Sequence, residues 1–328
     1  GAGTSCAAEL KASGQIAAAA NFTALVSFSL KNKAGVAIPI HFSASGTACS
    51  NADVPCTLVG PAFTDPTFTE CAAQWSTPQL VSTITTANGD ASDPTLTSDQ
   101  LTLYFVSGGK VYTAHRTATN APWPAPTAVV FNGLATDVTI KLPKVSADGT
   151  RMFLEIIDST VTLDQLFFAT QHTGPTDWNA PVPVIGSATT QTLTDATFGP
   201  GGTVILGGKD AIGGQRDLYE GKFDETTGLS NVIKLALDTP ADEDAPSVSA
   251  DGLQLYFESN RDGSILPYVA SRRVFSESFT TATRLDELDG DTALDGSPWV
   301  SNGARTIYFT SDRAGGTPRI WTATRTTF

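Results

Sequence analysis

The residues of this chain best suited to chemistry are four aspartates. Asp93, Asp195, Asp244 and Asp295 each stand just ahead of, or inside, a short apolar segment, and the segments resemble one another. Carboxylates gathered from separate segments could hold a calcium ion, which takes roughly six to eight oxygen ligands. Paired carboxylates could instead run glycoside hydrolysis or a related lyase reaction. A plainer role is local: an Asp orders its own turn by accepting backbone N–H groups. Two connections carry further acids, DTPADED (Asp238 to Asp244) and DELDGD (Asp286 to Asp291). DELDGD departs from the EF-hand template, because Leu288 stands where an oxygen ligand belongs. If calcium binds, Asp195, Asp244 and Asp295 are its expected ligands, and no other cofactor is expected.

No catalytic residue is assigned. His41, His115 and His172 are far apart in sequence, which suits isolated surface or packing roles. The chain has no G-x-S-x-G nucleophile elbow and no H-E-x-x-H zinc motif. Gly199 to Gly202 and Gly207-Gly208 fall at turns with no helix after them, so they do not read as phosphate loops.

The four cysteines, Cys6, Cys49, Cys56 and Cys71, all fall in the first 71 residues. Four cysteines allow three pairings, and no C-x-x-C pair favours zinc. Two disulfides are the preferred reading, Cys49 with Cys56 and Cys6 with Cys71, with free thiols as the alternative. Disulfides imply an oxidising compartment: secreted, periplasmic or the cell envelope of a bacterium. The opening GAGTSCAAEL lacks the basic head and apolar stretch of a signal peptide, and its Gly-Thr-Ser lead is a poor match to a lipid-attachment cysteine.

Bulk composition narrows the partners. The formal net charge is −13, from 33 acidic and 20 basic residues, which disfavours nucleic acid and anionic membranes. No apolar run approaches the ~20 residues of a spanning helix. Charged residues make up only 16% of the chain, while Thr, Ser, Ala and Gly are abundant. That balance suits many short strands and turns.

The elements that must position the aspartates come from a repeat. Ala245 to Gly263, APSVSADGLQLYFESNRDG, reads as strand, tight turn, strand: Asp251-Gly252 turns the chain, and Leu253, Leu255 and Phe257 alternate with polar neighbours. Aligned on Asp251, the matching turn positions are Asp99, Asp148, Gly201, Asp251 and Asn302, with spacings of 49, 53, 50 and 51 residues. A third strand follows each copy (KVYTAHR, QLFFATQ, DLYEGK, PYVASR, RIWTATR), and a weaker fourth follows the first four. Four short strands at such a period make the blade of an all-β propeller. The fifth copy ends before its fourth strand, and TPQLVST (Thr77 to Thr83) has that character at the other end of the repeat region. The expectation is five four-stranded blades, with this N-terminal strand closing the last one against an exposed edge. Six blades become possible if residues 20–73 supply another. The first 73 residues read as an N-terminal extension or degenerate blade, with a hairpin of Phe22 to Leu30 and Val36 to Phe42, and 74–328 as the propeller.

The pattern D-x-P-x-x-S-x-D-G, alternating apolar residues, then F-x-S-x-R resembles the repeat of TolB-like β-propellers. SVSADGLQLYFESNRDG (Ser247 to Gly263) and WVSNGARTIYFTSDRAGG (Trp299 to Gly316) carry it most fully. The resemblance covers roughly 250 residues and implies fold rather than activity. The third copy departs from it at Gly199 to Gly202, which implies an altered turn. In such a ring the first strands line the channel, so Asp93, Asp195, Asp244 and Asp295 are expected around one mouth. Arg261 and Arg313 sit in matching loops and read as stacked or paired with a neighbouring blade. Trp75, Trp123 and Trp178 read as packing near the blade peripheries, and Tyr104, Tyr256 and Tyr308 as packing between blades. The functional expectation is a non-catalytic propeller binding a protein or glycan at the channel mouth or loop face. The alternatives are a carbohydrate-active enzyme using the channel aspartates and a calcium-stabilised scaffold.

Overall fold

A computed structural model describes residues 21–31, 37–47 and 75–325, apart from 85, 158–164, 186–191, 210–213, 238 and 291–293. The four cysteines and their pairing lie outside the described residues. The chain divides into two compact units, Gly1–Ala72 and Ala73–Thr327. In the first, strands Asn21–Lys31 and Ala37–Thr47 pair antiparallel from Lys31↔Ala37 to Asn21↔Thr47. The second strand runs five residues beyond the expected Phe42.

The second unit is a five-bladed β-propeller. Blade 1 is Ser92–Leu96, Thr102–Ser107, Lys110–His115 and Thr127–Ala128. Blade 2 is Thr139–Val145, Arg151–Ile157, Gln165–Gly174 and Val182–Pro183. Its third strand also pairs with Asp177–Trp178, which runs parallel to Val130–Phe131 and so joins blade 2 to the segment leaving blade 1. Blade 3 is Thr192–Phe198, Thr203–Lys209, Arg216–Asp224 and Gly228–Lys234, and blade 4 is Glu243–Val248, Gln254–Ser259, Leu266–Ser271 and Ala282–Arg284. Blade 5 is Asp295–Val300, Thr306–Ser311 and Arg319–Thr324, completed by Gln79–Leu80 from before blade 1. The ring is closed as the sequence implied. Each first strand packs against the first strands of both neighbours, so the five surround the axis.

Apolar clusters fill all five junctions between blades. A repeated aromatic contact marks three of them. Tyr104 of blade 1 meets Trp178 of blade 2 at 5.8 Å, Tyr256 of blade 4 meets Trp75 at the edge of blade 5 at 6.4 Å, and Tyr308 of blade 5 meets Trp123 of blade 1 at 6.5 Å. These edge-on pairs suit the ring quadrupoles, and all three tryptophans are buried.

The turn between first and second strands is built alike in three blades. Thr97, Ser146 and Ser249 each donate a hydroxyl to the Asp two residues on, and those Asp Oδ1 atoms also accept the N–H of Leu101, Thr150 and Leu253. The positive φ in this turn falls on Gln100, Gly149, Gly252 and Ala304 in blades 1, 2, 4 and 5. Blade 3 makes the turn one residue shorter, with Gly199 N–H on Thr203 and Gly201 at φ 61. This is the altered turn that Gly-Pro-Gly-Gly implied.

Candidate functional site

The strand register revises how the aspartates correspond. Ser301 N–H bonds Thr306 carbonyl as Ser249 N–H bonds Gln254 carbonyl, so Gly303, not Asn302, occupies the place of Asp251. Asp295 then pairs across to Ser311 as Glu243 pairs to Ser259, and Gly296 takes the place of Asp244. By the same register Asp93 stands where Ala245 and Ser297 do, all three at positive φ, whereas Asp195, paired across to Gly207, takes the place of Asp244.

Asp295 accordingly stands apart from the other three. Its Oδ1 accepts from Arg313 Nη2 at 2.6 Å and its Oδ2 from Gly290 N–H at 2.8 Å. Arg313 lies 5.0 Å over Trp321 and 5.2 Å over Phe309. Blade 4 repeats the clamp: Arg261 pairs with Glu243 at 3.0 Å and lies 4.7 Å over Tyr268. Both arginines therefore tie the loop after the second strand to the first strand of their own blade and, through the carbonyls of Leu237 and Leu288, to the segment arriving from the preceding blade.

Asp93, Asp195 and Asp244 belong to a polar belt inside the ring. Arg216 of blade 3 reaches Glu155 of blade 2 at 3.2 Å and also hydrogen-bonds Asp244 of blade 4. Lys144 of blade 2 stands 3.9 Å from Asp195 of blade 3. Glu258 of blade 4 accepts the N–H of Ser297 of blade 5 at 2.6 Å, and Ser297 Oγ donates to Asp93 of blade 1 at 2.7 Å. Between blades 1 and 2, Val145 N–H bonds Thr95 Oγ1 at 3.1 Å. Side chains thus link every neighbouring pair of blades. Glu155, Glu258, Lys144 and Arg216 were not singled out from sequence. The two glutamates hold equivalent second-strand positions, which the LEI of blade 2 and the FES of blade 4 already align.

The belt is buried and rich in acid. Asp195 is fully enclosed, Asp244 nearly so, and Asp195 Oδ2 and Asp244 Oδ1 accept no hydrogen bond. Gly207 gives them room, since a Cβ there would lie 2.4 Å from Asp244 Oδ1. Burial pushes the Asp195 carboxyl up to about 8; Lys144 opposes this, and Asp244 and Glu155 reinforce it. Burial, then Asp244, pushes Glu258 up to about 7. Arg216 loses solvation, yet Asp244 and Glu155 hold its pKa above the ordinary arginine value. Among the described residues no three His, Cys, Asp or Glu side chains converge as a metal site. Two cations, Lys144 and Arg216, already neutralise part of the belt's charge.

A cavity of about 270 Å³ opens at the turn end of the first strands. Its lining includes one equivalent residue from each blade: Leu96, Val145, Phe198, Val248 and Val300. Ser98, Ser146, Ser249 and Asn302 add polar atoms from the turns, and Trp299, Arg151 and Ala250 are also part of the wall. No carboxylate is among the described residues that line it. Asp93 and Asp195 lie three residues back along their strands, roughly 10 Å at strand rise.

Sequence reasoning also passed over a set of caps. Arg116, Arg272 and Arg325 directly follow their third strands, Gln171 holds the matching position inside the longer third strand of blade 2, and each donates to the carbonyl of the positive-φ turn residue, at 2.9, 2.7, 2.5 and 3.2 Å. Three of them stack on aromatics, Arg116 on Trp123, Arg272 on Phe279 and Arg325 on Trp75, at 4.1, 4.4 and 4.5 Å. The recurring Arg at the end of KVYTAHR, PYVASR and RIWTATR was the available signal.

No protein-family model and no curated protein matches the chain. Solved structures that resemble it include a TolB of Agrobacterium tumefaciens, 18% identical over 67% of this chain and 69% of that one, with a TM-score of 0.44. A TolB of Acinetobacter baumannii is 14% identical over 92% of this chain, at a TM-score of 0.46, and the match spans 63% of that protein's length. An oligogalacturonate lyase of Vibrio parahaemolyticus is 12% identical over 73% of this chain and 79% of that one, at a TM-score of 0.38. These are likenesses of fold. The repeats of this chain are folded as a five-bladed β-propeller.

Proposed function

We propose that this propeller is a non-catalytic binding scaffold that takes a protein partner at the turn-end mouth of its channel. The observation that carries this reading is the cavity to which all five blades contribute an equivalent residue. An apolar floor ringed by turn hydroxyls and backbone suits a side chain presented by another polypeptide. A glycan is the weaker fit, because Trp299 is only 8% exposed and offers little platform for stacking. The carboxylates that an enzyme would need lie off the cavity wall, and Asp244 and Asp295 are paired with arginines. An extracytoplasmic site of action goes with this reading, supported by the clustering of all four cysteines near the N-terminus.

The test is capture of a binding protein from a bacterial envelope fraction by the immobilised wild-type chain and by Ala250→Trp. Ala250 is an exposed residue of the cavity wall, so the substitution obstructs the mouth without entering the core. A partner retained by the wild type and lost by the variant supports the proposal. Turnover of a polysaccharide or ester that disappears in Asp195→Asn would overturn it in favour of an enzyme.

A further inference from the structure

We infer that the mouth cavity selects a partner segment that carries a carboxylate beside an apolar side chain, and that Arg151 reads the acid. The inference rests on the binding reading above and names the chemistry of the ligand. Arg151 is the only described lining residue with an ionisable side chain. It opens the second strand of blade 2, and its guanidinium lies 5.3 Å over the ring of Phe198, a neighbour in the same wall. That stacking orients the planar fork, which matches a carboxylate in two-point geometry.

Arg151 is also uncommitted in a way its counterparts are not. Arg116, Arg272 and Arg325 cap turn carbonyls, and Arg216, Arg261 and Arg313 pair with enclosed carboxylates. Arg151 meets Glu225 at 3.6 Å, with the two side chains 40% and 49% exposed. A pair so solvated contributes little, and an incoming carboxylate can replace it. Asp148 also faces Arg151, but its Oδ1 is taken by Ser146 and Thr150. A net charge of −13 repels acidic segments in general, so the fixed cation determines where one can settle. Half-buried Phe198 and Val248 supply the apolar contact next to it.

The probes are two fluorescein-labelled, end-capped peptides of glycine and serine, one with a central Leu-Glu and the other with Leu-Gln. Binding is followed by anisotropy at low and moderate salt. The Leu-Glu peptide is expected to bind the wild type about tenfold or more tightly than Leu-Gln, a margin that narrows with salt. Arg151→Gln should erase the difference between the two peptides, and Ala250→Trp should abolish the binding of both. Equal binding of the two peptides, lost in Ala250→Trp, overturns the acid selection and leaves the binding mouth standing. A preference that survives Arg151→Gln overturns the role of Arg151. Failure of both peptides to bind overturns the inference and the protein-binding reading together.

Discussion

At the residue scale, the carboxylates inside the ring set how stability responds to pH. The Asp195 and Glu258 carboxyls hold protons to about 8 and about 7 in the folded chain, against ordinary values near 4. In that window the folded state binds more protons than the unfolded one, so stability falls as pH rises from about 4 toward 8. Thermal unfolding followed from pH 5 to pH 9 should show the midpoint dropping, opposite to the trend for a paired, depressed carboxylate. Asp195→Asn, which cannot ionise, should flatten that slope and melt higher than the wild type at pH 9. A wild type that gains stability across the same range would show that Lys144 outweighs burial at Asp195. Gly207 answers to the same crowding. A methyl there would meet Asp244 Oδ1 at 2.4 Å and Asp195 Cβ at 3.4 Å, so Gly207→Ala must push Asp244 off Arg216. The expected loss is about 1–3 kcal/mol, read as a lower midpoint in urea with an unchanged slope.

At the scale of the strand and turn, the repeat was legible because its signals are local. Hydrophobic alternation, Asp-Gly turns and the spacing of copies gave the strands, the blade count and the closing segment. The aspartate positions were less legible, because the fifth turn reads SNGAR where the fourth reads SADGLQ. Matching Asn302 to Asp251 slips the first strand by one residue, and a one-residue slip turns every side chain to the other face. Asp295 moves from the belt to the Arg313 clamp by that slip alone. The belt's glutamates and cations were hidden for a different reason: Glu155, Glu258, Lys144 and Arg216 come together only when different blades meet. The Arg caps show what one such element contributes. Trp75 is buried between Arg325 and Tyr256, and it precedes the two-residue strand that completes blade 5. Trp75→Ala should cost about 3–5 kcal/mol. Amide exchange should then quicken first in Arg319–Thr324, whose outer pairing the closing strand supplies. Uniform acceleration across all five blades would show instead that the ring opens only as a whole.

At the scale of the whole molecule, closure is what makes the mouth a single site. Each blade contributes one residue to the apolar ring of the cavity and at least one side chain to the belt, so both exist only while the first strands stay in register around the axis. Blade 5 is the place where that register can fail. Three of its strands are consecutive, and the fourth, Gln79–Leu80, comes from the far end of the repeat region through pairs at Trp321↔Leu80 and Thr322↔Gln79. Val81 N–H on Ile320 and Ser76 N–H on Thr324 extend the seam. A chain beginning at Ala73 keeps all of these contacts, whereas one beginning at Thr83 loses them and bares the third strand of blade 5 as an unpaired edge. The two truncations differ by only ten residues, yet they should behave differently. The longer should remain monodisperse by light scattering relative to its own concentration series and keep a single unfolding transition. The shorter should melt lower and self-associate as concentration rises, because a bare edge pairs most readily with another copy of itself. It should also lose peptide binding at the mouth, although none of the described residues among those deleted lines the cavity. If the shorter chain instead bound as tightly as the longer one, the mouth would be a property of the individual blades, and the dependence of the site on ring closure would be refuted.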